Sequence, residues 1–320
     1  MANYREIKGF NVQTFSSDPS NLVKGQVWYN STLGKIKGAA GGSWASAPAL
    51  NNGTNQGGGM GTQTAALSTG GKASPTAYSA KTEEYNGSSW SEVEDLPAAI
   101  SYFVSMGTQT AGLIAAGAPV RRNQSYEYDG TNWSSGGNLN TGRKQGGGWG
   151  IQTAALHTGG EKPTVCADTE TYDGSSWTEV GDMNTVRANN RGFGVLTDGV
   201  IVGGGPEAAN TAEEWNGSAW TATNGLNTER QAMTMSGIGV VSTAGLIVGG
   251  YDNTTTAASA VVEEYNGSTW TEIADMSVAT IEAHGSRSSM TAAIVAAGSP
   301  GYKTTSEEWN DPSVVTWTTS

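Results

Sequence analysis

The chain has 320 residues, with 17 Lys and Arg against 29 Asp and Glu for a formal charge of −12, two His and one Cys. Glycine takes 46 positions while 14% of residues are charged, which argues against an all-helical fold, whose sequences are rich in Ala, Leu, Glu and Lys. A lone Cys166 excludes an internal disulfide framework, and an acidic chain with no Lys/Arg cluster speaks against nucleic acid as a partner.

The first residues, Met-Ala-Asn-Tyr-Arg-Glu-Ile-Lys, carry charge where a signal peptide needs an apolar run. No stretch approaches the roughly 18 apolar residues of a membrane span. The expectation is a chain without an export signal and without membrane insertion. Residues 1–46 form a separate N-terminal segment. Within it Gln26-Val27-Trp28-Tyr29 and Lys35-Ile36-Lys37 alternate as strands about a Ser31–Gly34 turn, Gly42-Ser43-Trp44-Ala45 reads as the outer strand of a four-stranded unit, and Ile7–Phe15 is a candidate for its inner strand.

From residue 47 one phrase recurs, Glu-Glu-Tyr-Asn-Gly-Ser-x-Trp. It stands at Glu83–Trp90, Glu127–Trp133, Tyr172–Trp177, Glu213–Trp220 and Glu263–Trp270, and in stretched form at Glu307–Trp317. Asn-Gly and Asp-Gly tolerate positive φ, so each phrase is expected to be a hairpin closed by a type I′ turn. Before each lies an apolar run ending in small residues, such as Leu113-Ile114-Ala115-Ala116-Gly117 and Val200-Ile201-Val202-Gly203-Gly204, read as a buried strand. A further strand precedes it across links such as Gly61-Thr62-Gln63-Thr64-Ala65 and Gly107-Thr108-Gln109-Thr110-Ala111. Each period of 43 to 50 residues thus holds four strands, the content of one propeller blade. The expected fold is all-β, a propeller of seven four-stranded blades with the first, from residues 1–46, degenerate. The alternative is six blades in 47–320 plus an N-terminal arm.

The diglycines, the aromatic after acidic residues and the spaced tryptophans make residues 47–320 resemble kelch-type β-propeller proteins. The arginine that family carries near a blade's start is matched by Arg143, Arg187 and Arg230 and absent from the other repeats. The segment Ser17–Thr32, with Gly25-Gln26-Val27-Trp28-Tyr29-Asn30, is similar to a short module of bacteriophage tail-fibre and other virion proteins.

No catalytic constellation emerges, and no metal or cofactor is expected. His157 and His284 sit in different repeats without ligand spacing, and Cys166 has no partner set, so the copper chemistry of the kelch-type galactose oxidase is not expected. Tyr172-Asp173-Gly174-Ser175-Ser176-Trp177 looks like a sialidase Asp-box but is one residue short. Adjacent glutamates such as Glu83-Glu84 and Glu213-Glu214 point to opposite faces of a strand, as scaffold does. Arg143, Arg187 and Arg230 are expected to bond from blade to blade, to glutamates such as Glu127, Glu170 and Glu213. Asn-Gly-Ser triplets at Asn86, Asn216 and Asn266 serve turns rather than glycans.

Function is therefore expected from the loops between second and third strands, which differ from repeat to repeat. They are Lys72–Ala80, Pro119–Gln124, Glu161–Asp168, Pro206–Asn210, Tyr251–Ala260 and Pro300–Thr305. Tyr78, Arg121, Arg122, Tyr251, Tyr302 and Lys303 are the candidate ligand-binding residues, since Tyr and Arg carry high contact energy. The resemblances imply a non-enzymatic virion component of a bacteriophage, a tail fibre or other surface protein made without export. Its partners would be other virion subunits, a host-surface glycan or receptor, or further copies of itself. The alternatives are a bacterial kelch-type binding module and, least supported, a propeller enzyme acting on sugars.

Overall fold

The computed structural model describes residues 12–19, 25–39, 41–206, 209–234, 237–287, 289–311 and 314–317. They contain strands and turns and no helix, and fall into two compact units, Met1–Ser43 with Asn310–Ser320, and Trp44–Trp309.

The larger unit is a succession of sheets. Repeat one pairs Gly58–Thr62, Ala65–Thr69, Thr82–Tyr85 and Trp90–Glu92 in that order, all antiparallel. Repeat two pairs Val104–Thr108, Ala111–Ala115, Ser125–Tyr128 and Trp133–Ser135; repeat three pairs Gly147–Ile151, Ala154–Thr158, Thr169–Tyr172 and Trp177–Glu179. Repeat four follows with Arg191–Val195, Asp198–Val202, Ala212–Trp215 and Trp220–Thr223. In repeat five Ala244–Asp252, Ala257–Tyr265 and Trp270–Glu272 are joined by two short inner strands, Arg230–Gln231 and Ile238–Val241. The sixth sheet takes His284–Gly285, Ala292–Ala296 and Ser306–Asn310 from the end of the chain, and its outer strand, Ser43–Ala47, from the beginning. An all-β set of four-stranded antiparallel sheets is consistent with a β-propeller.

Trp44 therefore lies on an outer strand, as expected, but the strand completes the last repeat rather than a unit built from residues 1–46. Its ring packs 5.4 Å from Trp309, and its Nε1 donates to the Ala274 carbonyl. The remaining N-terminal strands form a separate sheet, ordered Gln13–Phe15, Val27–Asn30, Lys35–Ala39 and Val314–Trp317, in the smaller unit. The expected inner strand is described only from Val12 on, and Gln13–Phe15 pairs parallel to Val27–Asn30; Ile7–Asn11 lie outside the described residues. The sixth phrase diverges because eight positions, not five, separate Trp309 from Trp317, too many for the short loop used elsewhere. In the small sheet the Asp18 carboxylate gathers Lys37 Nζ at 2.6 Å, Asn30 Nδ2 at 2.9 Å and Trp28 Nε1 at 3.1 Å. The Lys37 bond, with the other two, holds Asp18 below the usual carboxylate range.

The hairpin phrase closes differently from the type I′ expectation. Tyr85 pairs directly with Trp90, leaving a loop from Asn86 to Ser89 in which Gly87 takes φ +87° and Asn86 keeps a negative φ. Asn86 Oδ1 instead accepts the N–H groups of Ser88 and Ser89, both at 2.9 Å. An Asx turn thus does what positive φ at the first position would have done. Asp129, Asp173, Asn216 and Asn266 repeat it. Backbone donation from Ser176, with Ser175 helping, takes Asp173 down to about 2.

Apolar side chains fill the spaces between consecutive sheets. Met60 and Leu67 of repeat one meet Ile114 and Tyr128 of repeat two, and the series runs on to Ile294 and Ala296 of repeat six against Tyr85 and Trp90 of repeat one. Glycine permits the closest approach, since a Cβ on Gly199 would stand 2.3 Å from the Trp149 indole of the preceding repeat.

Three further bond systems tie the sheets into a closed circle. Six residues at one repeat position, Gln56, Tyr102, Gln145, Asn189, Ala232 and Glu282, all take φ between +49° and +63°. The N–H of each donates to the carbonyl of its counterpart in the preceding repeat at 2.7 to 3.2 Å, and Gln56 donates to Glu282, so the ring has no end. Left-handed backbone at six non-glycine residues costs about 1 kcal/mol each, which the bonds offset. Tyrosine hydroxyls form the second system. Tyr128 donates to Glu84, Tyr172 to Glu127, Tyr265 to Glu214 and, across the join of last and first repeats, Tyr85 to Glu308 at 2.7 Å. In the third, Gln63, Gln109 and Gln152 of the recurring Thr-Gln-Thr and Ile-Gln-Thr links donate to carbonyls of the preceding repeat.

Burial first, then the facing glutamates, push Tyr85 and Tyr172 up to about 12 from 10.0. A raised folded-state value means that the neutral hydroxyls contribute their stability in full below pH 10 and lose it as pH rises through 12. The urea midpoint is therefore expected to hold to pH 9 and fall between pH ~10 and ~12 in step with tyrosinate absorbance. A Tyr85→Phe, Tyr172→Phe double variant is expected to show a shallower fall; an unchanged fall would refute the tyrosine bonds as its cause.

Candidate functional site

The loops between second and third strands share a face with the connections from sheet to sheet. Single bridges join the two at equivalent places, Asn55 to Lys72, Ser101 to Ala118, Lys144 to Glu161, Ala188 to Gly205 and Ile281 to Ser299. The six candidate residues all lie here, but among the described residues no hydrogen bond, ion pair or ring contact joins one to another. Tyr78 is half-buried beneath Lys72, whose Nζ stands 5.4 Å from the ring centre. Arg121 is exposed and pairs with Glu161 of the next repeat at 2.5 Å, while Arg122 is half-buried with an unpartnered Nε. Tyr302 is half-buried, its carbonyl against Gly53.

Two of the six are placed otherwise than expected. Tyr251 is on a strand, paired with Gln231 and Ala258, because the second and third strands of repeat five run on to Asp252 and from Ala257. Lys303 turns inward, donating to the Ala279 carbonyl at 2.7 Å and Thr280 Oγ1 at 3.1 Å. Burial lowers its ammonium, with Glu307 opposing. Thr280 stands at the repeat position of Arg143, Arg187 and Arg230, so Lys303 supplies the cation that repeat six lacks there.

Those arginines are wholly buried and bond within one repeat, not from one to the next. Arg143 pairs with Glu170 at 3.0 Å, Arg187 with Glu213 and Arg230 with Glu263 at 2.8 Å, each running from the incoming connection to the third strand of its own sheet. The same carboxylates accept backbone and side-chain N–H groups of Asn140, Asn184 and Asn227. The adjacent glutamate takes the tyrosine of the next repeat, so the Glu-Glu pairs do divide between two faces. Glu127, expected as an arginine partner, holds Tyr172, because repeat two has Tyr126 where the others bury glutamate. His157 is wholly buried, accepting from Arg143 Nε at Nδ1. His284 begins a strand; Gly57 N–H and Ser68 Oγ bond its ring, and burial holds it down at about 3. Among the described residues no three His, Cys, Asp or Glu gather for a metal ion.

A concavity of about 390 Å³ on this face opens on repeat four. Asn184, Thr185, Asn210, Thr211, Thr223 and Asn224 line it above the Arg187–Glu213 pair. Its cause is a local departure from the repeat. Outer strands of repeats one, three and five carry Glu92-Val93, Glu179-Val180 and Glu272-Ile273, whose aliphatic residues pack on the core. Repeat four has Ala222-Thr223 instead, as repeat two has Ser135-Gly136 and the strand completing repeat six has Ser46-Ala47. In repeat one Glu92 accepts from Asn52 Nδ2 at 2.9 Å; in repeat four Ala222 is too short to reach across, and several lining groups are held in place, Asn184 Nδ2 by Glu213, Thr223 Oγ1 by Tyr265 and Asn224 Nδ2 by the Ser268 carbonyl. Sequence reasoning missed this hollow, although Ala222 against the aligned glutamates was its visible signal. No known family model matches the chain, and no curated protein matches it.

Proposed function

We propose that the chain is a non-enzymatic recognition protein, a six-bladed kelch-like β-propeller whose repeat-four hollow takes a hydroxylated ligand, a glycan of a host surface. The observation that carries this reading is the hollow itself. Its lining places the amides of Asn184, Asn210 and Asn224 and the hydroxyls of Thr185 and Thr223, groups of the kind that donate to and accept from sugar hydroxyls, above a buried ion pair. A blade count of six is supported by the circle of six inter-repeat bonds. The scaffold engagement of the glutamate pairs favours binding over hydrolysis. The similarity of Ser17–Thr32 to a virion module makes a bacteriophage surface component the setting, with the small sheet joining other virion subunits.

Filling the hollow tests the ligand. An Ala222→Glu, Thr223→Val variant restores the pattern of repeats one, three and five, and is expected to lose at least about tenfold in affinity for the glycan selected on an array while its melting midpoint moves by less than ~2 °C. Unchanged affinity would remove the hollow from the argument. Detection of the chain in purified virions by mass spectrometry checks the setting.

A further inference from the structure

Asn-Gly occurs at Asn52, Asn86, Asn216, Asn224 and Asn266. In each pair the glycine nitrogen can close a five-membered ring on the asparagine Cγ, an intramolecular attack that needs no second molecule. The dipeptide alone would make the five alike, but the fold treats them differently.

Three of them head hairpin turns in which donors surround the side-chain oxygen. Asn86 Oδ1 accepts from the N–H groups of Ser88 and Ser89, both at 2.9 Å, and from Ser88 Oγ at 2.8 Å. Asn266 Oδ1 accepts from Ser268 N at 3.0 Å, Thr269 N at 2.9 Å and Ser268 Oγ at 3.2 Å. Asn216 Oδ1 accepts from Ser218 N at 3.0 Å, Ala219 N at 2.9 Å and Ser218 Oγ at 2.9 Å. Paired N–H groups at this distance stabilise the oxyanion that forms when an amide carbon is attacked. The nitrogen that would leave is placed differently among the three. Nδ2 of Asn86 stands 3.2 Å from Ser89 Oγ and that of Asn266 3.0 Å from Thr269 Oγ1, whereas repeat four has Ala219 at that position. A hydroxyl both accepts and donates, so it can hand a proton to a departing amine.

Asn52 and Asn224 have the dipeptide without the donors. Among the described residues nothing donates to either Oδ1. Asn52 Nδ2 is held by the carboxylates of Glu83 at 3.2 Å and Glu92 at 2.9 Å, and Asn224 Nδ2 by the Ser268 carbonyl at 2.7 Å. Asn224 is exposed, as Asn86 is, so access to water does not separate the two groups.

We propose that Asn86, Asn216 and Asn266 are self-modifying sites, converted to aspartate by the turns they head. The glycine nitrogen gives its proton to solvent base and bonds to Cγ. The Cγ–Nδ2 bond breaks, Nδ2 leaves as ammonia, and water opens the cyclic imide at Cγ to a carboxylate. Repeats two and three already have aspartate there. Asp129 and Asp173 accept the same pair of backbone N–H groups at 2.7 to 2.8 Å, and those bonds keep both carboxylates below their ordinary range. The product therefore fits the turn that makes it, and each conversion adds one negative charge.

Peptide mapping of the native chain aged in mildly alkaline buffer tests this, each conversion reading as a gain of one mass unit. Asn86 and Asn266 are expected to convert at least about tenfold faster than Asn52 and Asn224, with Asn216 between. In guanidinium chloride, where the turns are lost, the five rates are expected to converge. No conversion, equal rates in the folded chain, or a spread that persists in guanidinium would overturn the proposal. Ser89→Ala, an exposed change, is expected to slow Asn86 to the rate of Asn216; an unchanged rate would overturn the proton transfer assigned to that hydroxyl.

Discussion

Replacing Glu263 with Ala is expected to lower the stability of the larger unit by about 4 kcal/mol, the scale found when one partner of a buried ion pair is removed. Glu263 is fully buried and accepts from Arg230 Nη2 at 2.8 Å, Asn227 N at 2.7 Å, Asn227 Nδ2 at 2.9 Å and Thr228 N at 3.3 Å. Alanine leaves a sealed guanidinium and three amide donors facing a void. Arg230 keeps its bonds to the carbonyls of Gly249 and Val261 and so cannot swing out to water. The companion Arg230→Met, Glu263→Met variant removes the stranded charge and is expected to recover about half the loss, the unmet amides of Asn227 and Thr228 accounting for the rest. Urea unfolding followed by tryptophan fluorescence measures both. A single variant within about 1 kcal/mol of the native chain would show that the pair is not sealed from solvent.

The second large effect concerns the strand that completes the sixth sheet. A chain spanning 41–311 retains Ser43–Ala47 and is expected to fold cooperatively; one spanning 51–311 is expected to lose at least ~3 kcal/mol and to aggregate. Without that strand Ser306–Asn310 becomes an open edge, Trp309 loses the Trp44 ring, and the Ser306 hydroxyl and Thr304 carbonyl lose Pro48 and Leu50. Both chains lack the small sheet, so their difference belongs to residues 41–50. Equal urea midpoints and equal elution as monomers would show that the join contributes nothing.

Much of this architecture was legible because each repeat solves the same packing problem with the same residues. The aromatic before Asn-Gly and the tryptophan after it mark paired outer strands, and the two glutamates mark two faces. Legibility failed where one residue changes role without changing the pattern. Ser43–Ala47 carries a tryptophan but lacks the Tyr-Asn-Gly that would have shown its partner, so its place in the last sheet follows only from pairing over more than 250 residues. Asn86 and Asp129 carry the letters of a type I′ turn, yet their side-chain oxygens make the turn instead. Rim residues chosen for contact energy are partly spent inside the fold, Lys303 on Thr280 and Arg121 on Glu161. Arg287 stands where repeats one to four have a positive-φ glycine, and Ala222 where repeats one, three and five have glutamate, so each shows only once the repeats are aligned.

The circle of peptide groups through Gln56, Tyr102, Gln145, Asn189, Ala232 and Glu282 runs in one rotational sense, every N–H directed at the repeat before it. Dipoles laid nose to tail around a loop sum to nothing, whereas the same dipoles stacked along a helix would charge its two ends. These six peptide groups therefore add no net dipole in the plane of their circle.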